Sequence, residues 1–208
     1  MPLEPISLFD IESRAKQAMA LDQWEFIQGG MGDATATQRN RDALAAVSLR
    51  PRYLVDISER DTSTTVLGNK ISFPVMTGPA GRHSMAHPDA ELATARATGA
   101  AGTLMVLAIG STYSMEEVSA VSSGPRWFQL YHRGRPNTES LVHRAEEAGY
   151  SAICLTVDSV AGGRKDQDVR NRFFRENGAT LGNFRNDYAE FANSGASPQE
   201  VAAWGPPG

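Results

Sequence analysis

An α/β chain, made of the first four strand–helix units of an eight-stranded parallel barrel behind a helical segment and a short hairpin, is the fold predicted by three features. Four apolar runs, "ISFPVMTGPA", "TLMVLAIG", "RWFQLY" and "AICLTVD", begin at residues 71, 103, 126 and 152. Helix-forming stretches separate them, and strand–helix alternation of this kind marks parallel βα units. The runs are apolar at nearly every position, as parallel strands covered on both faces require. Four units are half of a (β/α)8 barrel, which typically takes about 250 residues. An open, doubly wound sheet is the rival fold. It more often carries a glycine-rich phosphate turn after its first strand, and "GPAGRH" lacks that spacing.

The elements follow in order. Ser7 is placed to cap a helix over "LFDIESRAKQAM", with Leu8, Ile11, Ala15, Ala18 and Met19 on one stripe. A second helix, "DQWEFIQ", should stop at Gly29 and Gly30. A third, "ATQRNRDALAAVSL", is closed by Pro51. "YLVDIS" reads as a short strand, and Gly68-Asn69 within "TTVLGNKIS" as a hairpin turn. In the barrel part, "HPDAELATARATGAAG" is an alanine-rich helix with a glycine stop. "SMEEVSAVSS" is capped by Ser114 with Glu117 three residues on, and "NTESLVHRAEEAGY" by Asn137 or Thr138. The expected organisation is an N-terminal cap over 1–70, four βα units over 71–172, and a long loop over 173–208 with at most one short helix near Pro198–Ala203. Cut at half, a barrel leaves its first and last strands as open edges.

Composition narrows the function classes. The 208 residues carry a net charge of −4, which argues against a nucleic-acid partner. No run approaches the roughly 18 apolar residues of a transmembrane span, and the N-terminus has no secretory pattern. The single Cys154 lies in an apolar run and reads as a buried, inert thiol. One cysteine permits no disulfide within the chain, which fits a cytoplasmic location, with peripheral membrane association open.

In a parallel barrel the active site forms at the C-terminal ends of the strands. Those ends carry "TGPAGRH", "AIGSTYS", "FQLYHRG" and "TVDSVAGGRKD". Gln129 and Tyr131, two apart, project to the same side of one strand. Singly, each suits a satisfied core position as well as a ligand contact. Polar groups at four successive ends favour a shared ligand.

The segments "GGMGDATATQRNRDAL", "PRYLVDISERDTSTTVLGNKISFPVMTGPAG", "MAHPDAELATARATGAAGT", "WFQLY", "RAEEAGYSAICLTVD" and "GRKDQDVRNRF" together resemble the FMN-dependent α-hydroxy-acid dehydrogenases and oxidases, over about residues 7 to 175. The resemblance implies a (β/α)8 barrel with FMN at the strand ends, assembled as a homotetramer or larger. It implies that Pro79, Ala80 and Gly81 lie against the flavin ring, where small residues allow close backbone approach. It assigns Gln129 and Thr156 to the polar flavin edge, the Gln amide offering donor and acceptor. Tyr131 is implied to face the substrate, and Asp158 to orient a catalytic histidine.

Several positions depart from the family pattern. Phe26 replaces a substrate-binding tyrosine, Ala108 a flavin-contacting Ser or Thr, and Gly110 a bulky residue that narrows the glycolate oxidase pocket. Lys165, preceded by Arg164, replaces the arginine that grips the substrate carboxylate; lysine keeps the charge but not the planar two-point grip. Gly81 leans toward a dehydrogenase over an oxidase. The four histidines are His83, His87, His132 and His143. None stands in the family's Asn-His-Gly base motif, although His83 and His132 lie near strand ends. The expected parent activity is FMN-dependent oxidation of an L-2-hydroxy acid, lactate- or mandelate-like, to the 2-oxo acid. The 208-residue chain alone is expected to be incomplete and inactive. A non-catalytic half-barrel that binds a partner chain, and a flavin-dependent isopentenyl diphosphate isomerase, are the alternatives.

Overall fold

The computed structural model describes residues 4–132, 134–158, 165–171, 173 and 181–184. The chain divides into two compact units: Met1–Glu59 with Gly163–Asn177, and Arg60–Gly162 with Gly178–Gly208.

Unit 1 is helical. Helix α1, Leu8–Ala18, starts at a capping box in which the Ser7 hydroxyl accepts from the Asp10 N–H and the Asp10 carboxylate accepts from the Ser7 N–H. Helix α2, Leu21–Gln28, closes at Gly29, and α3, Thr35–Ala45, is entered through Ala34 at φ 64°. None of the three buries a residue. Helix α3 ends well before Pro51, so proline is not its stop. The expected strand over 53–58 does not form, and Tyr53, Leu54 and Ile57 stand exposed. An apolar run becomes a strand only where a neighbour takes its N–H and C=O groups, and among the described residues none does.

Unit 2 opens with a hairpin, β1 Thr64–Val66 against β2 Asn69–Ile71, antiparallel. Its turn is Leu67-Gly68, one residue earlier than expected; both hold positive φ, 43° and 80°, as a two-residue type I′ connection demands. Strands β3 Met105–Ala108, β4 Arg126–Tyr131 and β5 Ile153–Thr156 form a parallel sheet in chain order. Helices α4 Ala90–Ala100, α5 Met115–Ala120 and α6 Arg135–Glu147 connect or follow the runs. Ser114 caps α5 with Glu117 as expected. Helix α6 starts at Gly134, ahead of Asn137 and Thr138, because Pro136 suits the first turn of a helix.

The expected first barrel strand is reduced to a single bridge, Thr77 to Met105. Thr77 N–H donates to the Leu104 carbonyl at 3.1 Å and its carbonyl accepts from Val106 N–H at 3.2 Å. Pro74 and Pro79 flank this contact, and proline has no N–H to extend a ladder. Thus four expected strands become three plus a bridge among the described residues, in the predicted order and parallel sense.

The unit 2 core lies between sheet and helices. Leu107, Phe128, Met115, Val118 and Ala145 are fully buried there, with Leu130 and Leu141 beside them. Tyr150 packs edge-on against Phe128, and its hydroxyl donates to the Met115 carbonyl at 3.0 Å. Burial pushes the Tyr150 phenol well above its ordinary value. Within the 173–208 stretch, Leu181–Phe184 is no loose loop: Gly182–Phe184 makes a buried 3-10 turn and Phe184 joins the core. The short helix expected near 198–203 lies outside the described residues. Among the described residues no helix is long and apolar enough to cross a membrane, and no cluster of His, Cys, Asp or Glu could hold a metal ion.

Candidate functional site

Parallel strands with helices on their return paths leave the strand C-termini as the place where loops of different units meet. In unit 2, those ends bring together six of the expected residues: Gly81, Ala108, Gly110, Gln129, Tyr131 and Thr156. The register sets Ala108 beside Gln129 and Tyr131 beside Thr156.

Gln129 is buried at 4 % exposure, and its amide orientation is set by its partners. Its Oε1 accepts from the Ile109 N–H at 3.1 Å, and its Nε2 donates to Thr156 Oγ1 at 2.8 Å. A backbone N–H can only donate, so Ile109 dictates which end of the amide carries the oxygen. The sequence reading had the amide offering an acceptor and a donor to a ligand. Ile109 takes one of the two lone pairs of that oxygen. The second lone pair, the second Nε2 hydrogen and the Thr156 hydroxyl's own hydrogen complete the polar groups of this pair at one strand end.

Two loops flank this pair. Pro79, Ala80 and Gly81 are exposed, which leaves their backbone open to a flat ligand. A Cβ on Gly81 would stand 2.7 Å from the Gly110 carbonyl oxygen, so the loops approach too closely for a side chain. The Arg82 N–H donates to that same carbonyl at 3.1 Å. A Cβ on Gly110 would meet nothing within 4 Å, so the space beside it is open. Ala108 is buried at the end of β3. Tyr131 is half-buried against the core, and Asp158, two residues past β5, is exposed. Small residues, a polar pair at the strand ends and an exposed backbone edge fit one face of a planar heterocycle with polar substituents, which is what an isoalloxazine presents.

In unit 1, Phe26 and Lys165 come together. The Phe26 ring stacks on Phe173 with centroids 4.8 Å apart, and the Lys165 ammonium sits 4.2 Å from the Phe26 centroid. Lys165 Nζ also donates to the Phe26 carbonyl at 3.0 Å. Cation–π attraction and one hydrogen bond hold the ammonium, leaving two of its three donors. Arg164 lies outside the described residues. Glu25 accepts from the side chains of Asn171 and Gln167, and these bonds hold its carboxyl below the usual range. A cavity of about 290 Å³ borders this group, lined by Glu25, Asp33, Gln167 and Arg170 among others. None of the expected site residues lines it.

Three of the four histidines have hydrogen-bond partners on or directly ahead of a neighbouring helix. The Nδ1 of His83 pairs with the Thr94 hydroxyl of α4, and that of His132 with the Thr138 hydroxyl of α6. His87 Nδ1 accepts from the Asp89 N–H ahead of α4, and His143 is exposed on α6. Cys154 is an exposed thiol, not a buried one, because β5 is the edge of the sheet among the described residues.

Two residues that organise the site went unnoticed in the sequence. Glu91 is fully buried on α4, and Asn183, at 2 % exposure, fixes the end of β3 from the far side. Asn183 Nδ2 donates to the Ile109 carbonyl and Ser111 Oγ, both at 3.0 Å, while its Oδ1 accepts from the Met115 N–H at 2.8 Å. A signal existed for the first: Glu91, Ala95 and Thr98 share the i, i+4, i+7 face, which α4 turns inward. Asn183 offered only a polar residue between Leu181 and Phe184.

Comparisons with known proteins agree on one family. A family model described as FMN-dependent dehydrogenase matches residues 15–203. Glycolate oxidase 3 of Arabidopsis thaliana is 46% identical over 183 residues, 88% of this chain and 50% of that protein. Glycolate oxidase of Spinacia oleracea is 42% identical over 183 residues, with the same shares. A crystal structure of mandelate oxidase with (S)-2-phenylpropionate matches with a TM-score of 0.83 at 36% identity, covering 86% of this chain and 54% of that one. A mutant of the active chimera of (S)-mandelate dehydrogenase matches at 0.82 and 32% identity, covering 86% and 51%. The chain spans about half the length of the curated relatives it matches.

Proposed function

The chain belongs to the FMN-dependent dehydrogenase family, whose cofactor is FMN, and from that premise we propose that unit 2 is the flavin-edge half of a barrel that oxidises a 2-hydroxy acid to the 2-oxo acid. The observation that carries this reading is the Gln129–Thr156 pair, oriented by the Ile109 N–H and set at the end of two neighbouring strands. When bound, FMN supplies a two-electron acceptor for the hydrogen leaving the substrate carbon. The chain's own residues would hold the ring edge through Gln129 and Thr156, and lie against its face with Pro79, Ala80 and Gly81. Ala108 adds only van der Waals contact there.

A mandelate-like substrate is favoured over glycolate by the open space beside Gly110. Tyr131 is assigned to the substrate's hydroxyl or carboxylate end. The resemblance alone assigns the carboxylate to Lys165 with Arg164, the departure at Phe26 to the side-group end, and Asp158 to orienting an imidazole. Gly81 supports a dehydrogenase over an oxidase. A homotetramer or larger is proposed for the assembled enzyme. The 208-residue chain by itself should turn over hydroxy acids barely at all, because none of its histidines stands in the family's base motif. Losing that proton acceptor commonly costs about a hundredfold or more.

Titration of the purified chain with FMN, followed by flavin absorbance and fluorescence, tests the reading. Gln129→Leu should weaken binding about tenfold, since it removes one ligand donor and orphans the Ile109 N–H. Equal affinity in the two proteins would overturn the assignment. Flavin bleached at a full enzymatic rate by mandelate would overturn the claim of inactivity. Response to isopentenyl diphosphate instead of mandelate would favour the isomerase alternative.

A further inference from the structure

We propose that Glu91 is a positioning residue that ties the two flavin-facing loops into one rigid edge, a role that rests on the reading of that edge given above. Its carboxylate lies in the first turn of α4, fully buried. A single oxygen, Oε1, accepts from the His83 N–H and from the Thr112 N–H, each at 3.0 Å. His83 directly follows the Pro79–Arg82 loop. Thr112 follows the Ala108–Gly110 loop. One atom on a helix thus holds the far ends of both loops.

The surroundings repeat the link. Arg82 N–H donates to the Gly110 carbonyl. Ser84 N–H donates to Thr112 Oγ1 at 3.3 Å, and the Thr112 and Ser84 hydroxyls are 3.0 Å apart. Gly81 approaches the Gly110 carbonyl so closely that a few tenths of an ångström of separation would change the surface both loops present. Arg82 at φ 59° and Ala90 at φ 41° hold left-handed backbone that such residues rarely adopt, and that persists only where neighbours over-determine it.

The choice of an acid here needs a reason. A buried carboxylate is costly unless hydrogen-bonded, and the Oε2 of Glu91 is buried with no partner among the described residues. Only one oxygen does the holding, in the first turn of α4, at the end of the helix whose dipole favours negative charge. Glutamine would keep that oxygen in place. Its geometry, more than its charge, is therefore what the loops require. A flavin edge needs its contacts held within about 0.5 Å, and the clamp acts two residues beyond Gly81 and two beyond Gly110.

The test compares wild type with Glu91→Gln, Glu91→Ala and Glu91→Asp in the full chain. Two readouts are taken: hydrogen exchange of peptides spanning 79–84 and 108–114, and FMN titration with the visible circular dichroism of bound flavin. Glu91→Ala should lose exchange protection at both loops while β4 and α6 keep theirs. It should also weaken FMN about tenfold with a changed dichroism, and Glu91→Gln should stay within about threefold of wild type. If Glu91→Ala does not fold, Glu91→Asp decides. One methylene shorter, it cannot reach both N–H groups, so at least one loop should lose protection. Unchanged protection at both loops in the folded variants, or failure of glutamine to restore them, overturns the clamp. So does unaltered FMN affinity in a Glu91→Ala protein whose loops have loosened. A wild-type chain that binds no FMN counts against the flavin reading alone, and the exchange data then decide the clamp by themselves.

Discussion

The two units reach order by opposite routes. Unit 2 buries a continuous cluster, with Leu107, Met115, Val118 and Phe128 wholly out of solvent, and its site residues hang from that core. The four unit 1 helices among the described residues, α1 to α3 and the short Asp166–Arg170, bury no residue, and Leu8, Phe9 and Leu44 are largely exposed. Its candidate residues are instead held by polar and aromatic contacts: Lys165 on Phe26, Phe26 on Phe173, Glu25 between Asn171 and Gln167. Burial is non-directional and additive, so it fixes a frame. Hydrogen bonds are directional and individually small, so they fix side chains within one. Precision at the Gln129–Thr156 pair is therefore built on a frame, whereas precision at Lys165 rests on local contacts alone.

The sharpest break in that contrast comes from the core. Phe128→Ala should cost about 3–5 kcal/mol, the usual loss for a wholly buried aromatic ring and the cavity it leaves. Phe9→Ala, at a position 72 % exposed, should stay within about 0.5 kcal/mol. Urea midpoints at unchanged slope measure both. Similar losses would mean that the unit 1 helices bury their apolar stripe after all, and the comparison would fail.

A smaller effect tests whether polar contacts inside the frame matter as well. Asn183→Leu conserves volume and apolar fit but strands the Met115 N–H and the Ile109 carbonyl in the interior. An orphaned buried group costs about 1–3 kcal/mol. The expected result is a loss in that range, together with faster amide exchange at Met115. A neutral outcome would show that the core tolerates these orphans and that the end of β3 is held by packing alone.

The sequence displayed what periodicity can encode. Strand order, parallel sense, the Ser7 and Ser114 caps and the glycine stop after Gln28 all follow from patterns of one residue type at fixed spacing. It did not display whether an apolar run would find a partner. "YLVDIS" is as apolar as "AICLTVD", yet only the second acquires a neighbouring strand, and the run from Ile71 keeps a single bridge between two prolines. At the site, resemblance pointed to Gln129 and Thr156, and only geometry assigned their donors, because an amide's orientation depends on a backbone N–H twenty residues away in the chain. Glu91 and Asn183 were hidden for the same reason. Each is a polar residue bonded to other elements of the chain; the helical spacing of Glu91 with Ala95 and Thr98 reports its burial but not its partners, and no spacing rule reports Asn183.

The gentlest probe addresses unit 1 through acid. The Asn171 and Gln167 side chains donate to the Glu25 carboxylate and hold its pKa below the ordinary value of 4.5. A carboxyl whose folded value is lowered releases its proton more readily in the folded state. Its stabilising contribution is therefore complete above the unfolded value and is lost as pH falls through the folded one. The contacts between α2 and α7, Asp166–Arg170, should accordingly loosen from about pH 4.5 downward. Asp10 and Asp33 are lowered in the same direction by their own hydrogen bonds, so some acid sensitivity of unit 1 will remain in any single variant. Glu25→Gln isolates one share. Exchange of peptides covering α2 and α7 between pH 6 and pH 3.5, corrected for intrinsic rates, should rise on acidification in wild type and rise less in the variant. The peptides of β4 should stay unmoved in both, since no lowered carboxyl supports that strand. A parallel rise across β4 would place the acid-sensitive contacts in the core instead, and would reverse the assignment of polar contacts to unit 1 and burial to unit 2.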